Sequence, residues 1–194
     1  MEYKVLGLCG QMASGKDYVY EYLRDDDPFR RVMRMGFADG VRRELVQEVL
    51  GALDINLGDS AGAGNWAKPY SAGQRWLMQQ WGTDYRRAQD PDYWVKAGLA
   101  FIEEQAQPGD LWVVTDVRFA NEVAAIEGLG HNGTTALVTA PVDVRAARLG
   151  ITAYELRKRT EHASELMDFD ATHTIYNNGN VTPRIGQALE AWIG

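Results

Sequence analysis

Short apolar runs alternate with amphipathic stretches along the whole chain. Val5-Leu6-Gly7-Leu8-Cys9 is a continuous apolar run of strand length, the pattern of a strand covered on both faces. Tyr18 to Leu23 reads as a helix, and Asp25-Asp26-Asp27-Pro28 as a solvated turn. Arg31 to Phe37 alternates as a second strand. Asp39-Gly40 then opens a helix with Val41, Leu45, Val46, Val49 and Leu50 on one face. Leu57 to Ser71 is rich in Gly, Ala, Ser and Asn around Trp66 and reads as a mobile loop. The helix predicted over Ala72 to Trp81 places Trp76 and Trp81 in the core and ends at Gly82 as its C-terminal cap, with Thr83 to Arg87 as the following turn. Asp90-Pro91-Asp92 starts a helix over Tyr93 to Gln105, which Pro108-Gly109-Asp110 breaks. Leu111 to Asp116 is a strand ending in an acid, Asn121 to Leu129 a helix, and Thr134 to Thr139 a strand closed by Pro141. Val142 to Leu149 is a short helix, Thr172 to Tyr176 a last strand closed by Asn177-Asn178-Gly179, and Thr182 to Ile193 a closing helix. Strands alternating with helices predict a parallel sheet covered on both faces, with right-handed crossovers. Ligands then belong beyond the strand C-termini, where Gly10, Asp39, Asp116 and Pro141 fall.

Composition narrows this picture. A chain of 194 residues suits one α/β domain, and 45% hydrophobic content excludes a largely disordered protein. The single cysteine, Cys9, excludes an internal disulfide and a cysteine zinc cluster, which fits a reducing cytoplasm. A strand close to the N-terminus leaves no room for a signal peptide, and no apolar run approaches membrane-spanning length, so no membrane partner is expected. The net charge of −7 argues against binding a nucleic-acid polymer. An anionic substrate must therefore meet a local array of arginines. His131, His162 and His173 are scattered and suggest neither a zinc site nor a triad.

Gly10-Gln11-Met12-Ala13-Ser14-Gly15-Lys16-Asp17 carries the chemistry. It lies between a strand and a helix, the context of a phosphate-binding P-loop. Gly10 and Gly15 let the backbone turn its N–H groups, those at Ala13 and Ser14 included, toward a phosphate. The helix start adds partial positive charge, and Lys16 reaches the outer phosphates. Asp17 replaces the usual Ser or Thr that touches magnesium. A carboxylate is a good hard ligand for that ion, although it adds negative charge beside a phosphate. ATP and Mg2+ are the cofactors this motif predicts. Asp116 is a second metal candidate, because an Asp at such a strand end often holds magnesium or its water. Arg42 and Arg43, read as lying in a helix's first turn, oppose its dipole unless a bound anion lies near.

Several segments resemble phage deoxynucleoside monophosphate kinases. The G-x-x-x-S-G-K-D loop is shared by that group and by P-loop phosphomevalonate kinase. Phe37-Ala38-Asp39-Gly40-Val41-Arg42 is similar to the start of the phage enzymes' acceptor-binding helix. Arg75-Trp76-Leu77-Met78-Gln79-Gln80-Trp81-Gly82-Thr83-Asp84 resembles their R-x-L-M-Q-x-x-G-T-D segment, and Tyr93-Trp94-Val95-Lys96 their Y-W-V-K. Thr115-Asp116-Val117-Arg118 is similar to a D-x-R element of both groups, as are Ser164-Glu165 and Asn177-Asn178-Gly179. Arg145-x-x-Arg148 is closer to phosphomevalonate kinase. The resemblance spans nearly the whole chain. It implies an α/β three-layer P-loop fold of nucleoside-monophosphate-kinase type, with a parallel sheet ordered 2-3-1-4-5, and it allows a homodimer. One kinase domain over 1–194 is expected, with an acceptor-binding region at about 38–96 and a lid at about 142–165.

The activity implied is transfer of the γ-phosphoryl of ATP to a deoxynucleoside 5′-monophosphate, in the host cytoplasm if the chain is phage-encoded. Lys16, Asp116, Arg118 and Arg148 are the expected catalytic residues, with Arg145 joining the loop in holding ATP. Asp39, Arg42, Trp66, Arg75, Thr83, Asp84, Arg86 and Arg118 are the expected acceptor contacts, Arg87 a weaker one, and Arg157 and Arg159 further lid candidates. Phosphomevalonate kinase is the nearest alternative, and a regulatory P-loop ATPase module the alternative outside small-molecule kinases. A GTPase is disfavoured, because no N-K-x-D guanine element is present.

Overall fold

The apolar runs pair side by side into one parallel sheet. β1 (Lys4–Cys9) lies at its centre, between β3 (Leu111–Val117) and β4 (Gly133–Thr139); β2 (Val32–Met35) and β5 (His173–Tyr176) form the edges. The order β2-β3-β1-β4-β5 is the one expected, and all four pairings are parallel. This computed structural model describes residues 2–27, 30–50, 71–160, 167–178 and 186–194. Outside them lie Trp66, Tyr70 and the rest of the predicted loop before Ser71, together with His162, Ser164-Glu165, Gly179 and the first residues of the predicted closing helix.

The chain divides into two compact units, Met1–Met35 with Glu104–Gly194, and Gly36–Glu103. In the first, strand periodicity sets the layers. Leu6 and Leu8 of β1, Leu111 and Val113 of β3, and Ala136 and Val138 of β4 share one buried face. That face is covered by Val19 and Leu23 of α1 (Lys16–Asp26) and Leu189 of α8 (Gln187–Ile193). Each such side chain contributes about 1.5–3 kcal/mol on burial. The opposite face is covered by α5 (Ala120–Glu127). A Cβ at Gly7 would meet Ile126 Cδ1 at 2.8 Å, so glycine there admits the close approach of α5. Two short helices, α6 (Val142–Leu149) and α7 (Ala153–Arg159), follow β4.

The second unit is helical. In α2 (Phe37–Glu44), Asp39 Oδ2 accepts from the N–H of Gly36 at 2.8 Å, so the helix begins before Asp39 and takes Phe37 from the predicted strand. Arg42 and Arg43 therefore lie in its last turn, where cations suit the dipole, and the predicted conflict disappears. The helix continues as a wider π turn, Leu45–Leu50. α3 (Ala72–Gln79) starts at Ser71, whose Oγ accepts from Gln74 N while Gln74 Oε1 accepts from Ser71 N, a capping box.

Gly82 does not end that helix. The chain runs on through a π segment, Gln80–Arg87, so the predicted turn at Thr83–Arg87 is helical. The buried Gly82 packs its Cα side against Val41, and its carbonyl accepts from Trp94 Nε1 at 2.8 Å. The glycine thus serves packing. Leu77, Met78 and Trp81 pack on Leu45, whereas Trp76 lies off that face and is 59% exposed, against the expectation of a core residue. α4 (Tyr93–Gln105) has the predicted limits.

Candidate nucleotide-binding site

Positive φ angles at Gly10 (147°), Ala13 (59°) and Gly15 (96°) turn the chain sharply between β1 and α1. Ala13 holds a left-handed conformation that an L side chain rarely adopts, a strain of the kind found at ligand clamps. Gly15 has no room for a side chain, because a Cβ would overlap Asn177 Nδ2.

Side chains from α6 and from the end of β5 hold the loop from behind. Arg148 Nη1 donates to the carbonyls of Ala13 (2.9 Å) and Ser14 (3.0 Å), and its Nη2 donates to Asn177 O (3.2 Å) and Oδ1 (2.9 Å). Asn177 Nδ2 donates to the Ser14 carbonyl at 3.0 Å, and Arg145 Nη1 to that of Met12 at 3.3 Å. Three successive loop carbonyls are thereby bound. In a planar trans peptide the N–H points opposite to the C=O. Fixing the carbonyls of Met12, Ala13 and Ser14 thus fixes the N–H groups of Ala13, Ser14 and Gly15. Arg148, expected to close over a transferring group, is instead a strut of the loop, and Arg145 is a second one. Arg157 and Arg159, the other lid candidates, are exposed on α7.

The loop has the donors an anion requires. Ser14 Oγ is buried and has no hydrogen-bond partner among the described residues, an arrangement that a bound polar ligand resolves. It lines a cavity of about 220 Å³ with Gln11, Leu137, Val138, Thr139, Ala140, Arg145 and Met167. Lys16 Nζ donates to Gly10 O (2.6 Å) and Gln11 O (3.3 Å), so its ammonium is folded onto the loop. Behind the loop, burial pushes the Cys9 thiol up to about 12, which leaves it uncharged and inert at neutral pH.

Two carboxylates were expected to meet a metal. Asp17, in the first turn of α1, pairs with Arg34 Nη2 at 2.7 Å, and Arg34 Nε also donates to Thr115 Oγ1 at 3.3 Å. Asp116 is half-buried near the end of β3. Among the described residues no cluster of three or more His, Cys, Asp or Glu forms a metal cage. Magnesium is ordinarily held by one or two carboxylates plus substrate phosphates, so this donor set fits it. Arg118 follows β3, and its N–H donates to Glu122 Oε2 at 2.6 Å. The same buried oxygen accepts from Phe119 N at 3.1 Å and fixes the turn into α5.

Of the expected acceptor residues, Arg118 belongs to the sheet-bearing unit, Trp66 lies outside the described residues, and the others lie in the helical unit. Asp39 and Arg42 form an ion pair with each other. Arg75, Thr83 and Asp84 are exposed, with Asp84 Oδ2 accepting from Gln80 Nε2 at 2.5 Å. Arg87 donates to the carbonyl of Pro91. Arg86 is engaged structurally: it pairs with Glu44 and lies 4.8–5.4 Å from the ring centroids of Trp81, Tyr85 and Tyr93. Burial disfavours its charge, but the hydrogen bond and the charge of Glu44 outweigh that and raise its pKa. Glu44 also accepts from Trp81 Nε1 (3.2 Å) and Tyr93 Oη (2.9 Å). Arg86, expected to contact the acceptor, is thus held within this network. Sequence reasoning overlooked Glu44, Glu122 and Arg34. Glu122 had a readable signal, an acid three residues after a helix's N-cap. Arg34 had a weaker one, a cation inside a strand.

No family model matches the chain, and neither does any protein of curated function. Among solved structures it is similar to TT1252 from Thermus thermophilus, with 18% identity over 93% of this chain and 91% of that one and a TM-score of 0.51. It is also similar to APE1195 (13% identity, 90% and 86% covered, TM-score 0.48). A further similar structure is the Mycobacterium tuberculosis APS kinase (12% identity, 98% and 94% covered, TM-score 0.43). Likeness at these identities concerns the fold. The strand order, the parallel pairing and the loop after β1 together define a P-loop kinase fold.

Proposed function

We propose that the chain is an ATP-dependent phosphotransferase that moves the γ-phosphoryl group of ATP onto the phosphate of a deoxynucleoside 5′-monophosphate, giving ADP and the deoxynucleoside diphosphate. The observation that carries the kinase reading is the braced loop, with three bound carbonyls, an unpartnered buried Ser14 hydroxyl and Lys16 beside it. The choice of acceptor rests on the resemblance of the G-T-D and Y-W-V-K segments, which fall within the helical unit.

The loop N–H groups and Lys16 hold the donor phosphates, Lys16 exchanging its loop carbonyls for phosphate oxygens. Magnesium, when bound near Asp17 and Asp116, supplies neutralisation of phosphate charge. The acceptor phosphate, with a second pKa of about 6, is mostly dianionic at neutral pH, so no strong general base is needed. Positioning and charge then carry the catalysis. Arg42, Arg75 and Arg118 are the guanidiniums assigned to the acceptor phosphate, which they can bind in bidentate fashion.

The test is ADP release from ATP with a panel of deoxynucleoside monophosphates, ribonucleoside monophosphates and phosphomevalonate. The expected result is release that depends on a deoxynucleoside monophosphate. Turnover of phosphomevalonate alone would replace the acceptor assignment by phosphomevalonate kinase. Release that needs no acceptor would identify a regulatory ATPase module.

A further inference from the structure

Asp17 occupies the position at which P-loops ordinarily present a neutral hydroxyl, and the structure gives it a cationic partner. Arg34 is the third residue of the four-residue edge strand β2. It alternates with Val32, which is buried in the core under α1, so its side chain rises on that same face at the strand's C-terminal end. There Nη2 reaches Asp17 Oδ1 at 2.7 Å and Nε reaches Thr115 Oγ1 at 3.3 Å, next to Asp116 in sequence. The bland reading is a charge that guards a sheet edge and forms a surface ion pair. It does not account for where the partner sits, in the first turn of the helix that follows the phosphate loop, adjacent to Lys16.

We propose that Arg34 is a positioning residue of the metal–phosphate site, which holds the Asp17 carboxylate until a nucleotide-bound divalent cation takes it. The inference rests on the donor-site reading above. Without Arg34, an anionic residue beside the loop would repel an incoming nucleotide; with it, the pair carries no net charge. The two side chains are 44% and 54% exposed, and an ion pair so exposed is weak enough to exchange. Arg34 and the cation thus compete for one carboxylate. By linkage, removing Arg34 strengthens the benefit that magnesium gives to nucleotide binding, and the part due to this competition requires Asp17.

The experiment uses ADP and magnesium with the full chain, by calorimetric titration. For each protein the dissociation constant of ADP is measured in EDTA and at saturating magnesium, and their ratio is the metal enhancement. Loss of a cation near the phosphates by itself also raises the ratio, because free ADP carries more negative charge than its magnesium complex, but it does so equally with or without the Asp17 carboxylate. Arg34→Gln is expected to raise the ratio about two- to fivefold, the factor that corresponds to an exposed ion pair. Asp17→Asn is expected to lower it, and Arg34→Gln added to Asp17→Asn to change it less than Arg34→Gln does alone. Arg34→Lys, which keeps the charge, should fall near the wild type. A ratio unchanged by Arg34→Gln in a folded protein that binds ADP, or an equal change in the Asp17→Asn background, would overturn the inference and leave the donor site standing. No magnesium-dependent ADP binding by the wild-type chain would overturn both.

Discussion

At the scale of single residues, the loop separates side chains that build the site from those that act in it. Arg148, Asn177 and Arg145 are bound to loop carbonyls and set the direction of the N–H groups. Lys16 is folded onto Gly10 and Gln11 by two hydrogen bonds, at 2.6 and 3.3 Å, both to backbone carbonyls of the loop itself. In the proposed function its charge is the part that a transferring phosphoryl group feels. Lys16→Ala should leave the fold intact, because Arg148, Asn177 and Arg145 still hold the carbonyls of Met12, Ala13 and Ser14, and should reduce kcat on the order of 10³-fold, the scale for losing a preorganised transition-state partner. The check is steady-state turnover alongside a thermal melt; near-normal turnover in a folded variant would sink the loop assignment. The place of Lys16 beside the loop was legible from spacing alone, since it directly follows the loop's second glycine. The role of Arg148 was not legible. An arginine on a helix of unknown orientation faces a ligand or the loop's back with equal ease, and only the fold decides.

At the scale of elements, strands and helices of the sheet-bearing unit were readable because buried parallel strands are continuous apolar runs with sharp ends. The limits of α4 were equally legible, since Asp90-Pro91-Asp92 opens it and Pro108-Gly109 follows it. The helical unit was harder. The glycine that reads as a cap at Gly82 is a packing glycine, and the π widening from Gln80 to Arg87 has no periodic signature in a window so short. The surroundings of Arg86 were hidden for the same reason. Arg86 reads as a free cation until the turn around it is known to be helical, when Glu44 and three aromatic rings close on it. The turn from β3 into α5 yields a prediction at this scale. Glu122 is buried and accepts from the N–H groups of Arg118 and Phe119. Glu122→Ala strips both donors of that partner and should cost about 1–3 kcal/mol. Glu122→Gln keeps an acceptor oxygen and should lose less. Urea denaturation measures both, and an Ala variant as stable as the wild type would show that the carboxylate does not hold the turn.

At the scale of the whole molecule, the division into a sheet-bearing unit and a helical unit suggests a division of labour. The loop, its struts and the Asp17–Arg34 pair all belong to the first unit, whereas Asp39, Arg42, Arg75, Thr83 and Asp84 belong to the second. If ATP is held by the first, and the second adds acceptor contacts to that of Arg118, variants in the helical unit should alter one Michaelis constant and spare the other. Arg75 and Asp84 suit this test because both are exposed on the α3 segment and outside the Glu44 network, so their loss should not disturb the unit's core. Arg42 suits it less, since removing it leaves Asp39 without its ion-pair partner. Arg75→Ala removes a guanidinium proposed to bind phosphate, and a charge-assisted bond of that kind contributes about 1.5–3 kcal/mol, or roughly 10- to 150-fold in KM for the acceptor. Asp84→Ala, proposed to touch base or sugar, should raise the same constant by a smaller factor. Neither should change the affinity for ATP, measured by titration without acceptor. A loss of ATP affinity matching the rise in acceptor KM would show that the helical unit does not serve the acceptor alone. Unchanged constants for both substrates would remove Arg75 and Asp84 from the site and move the acceptor contacts to other residues.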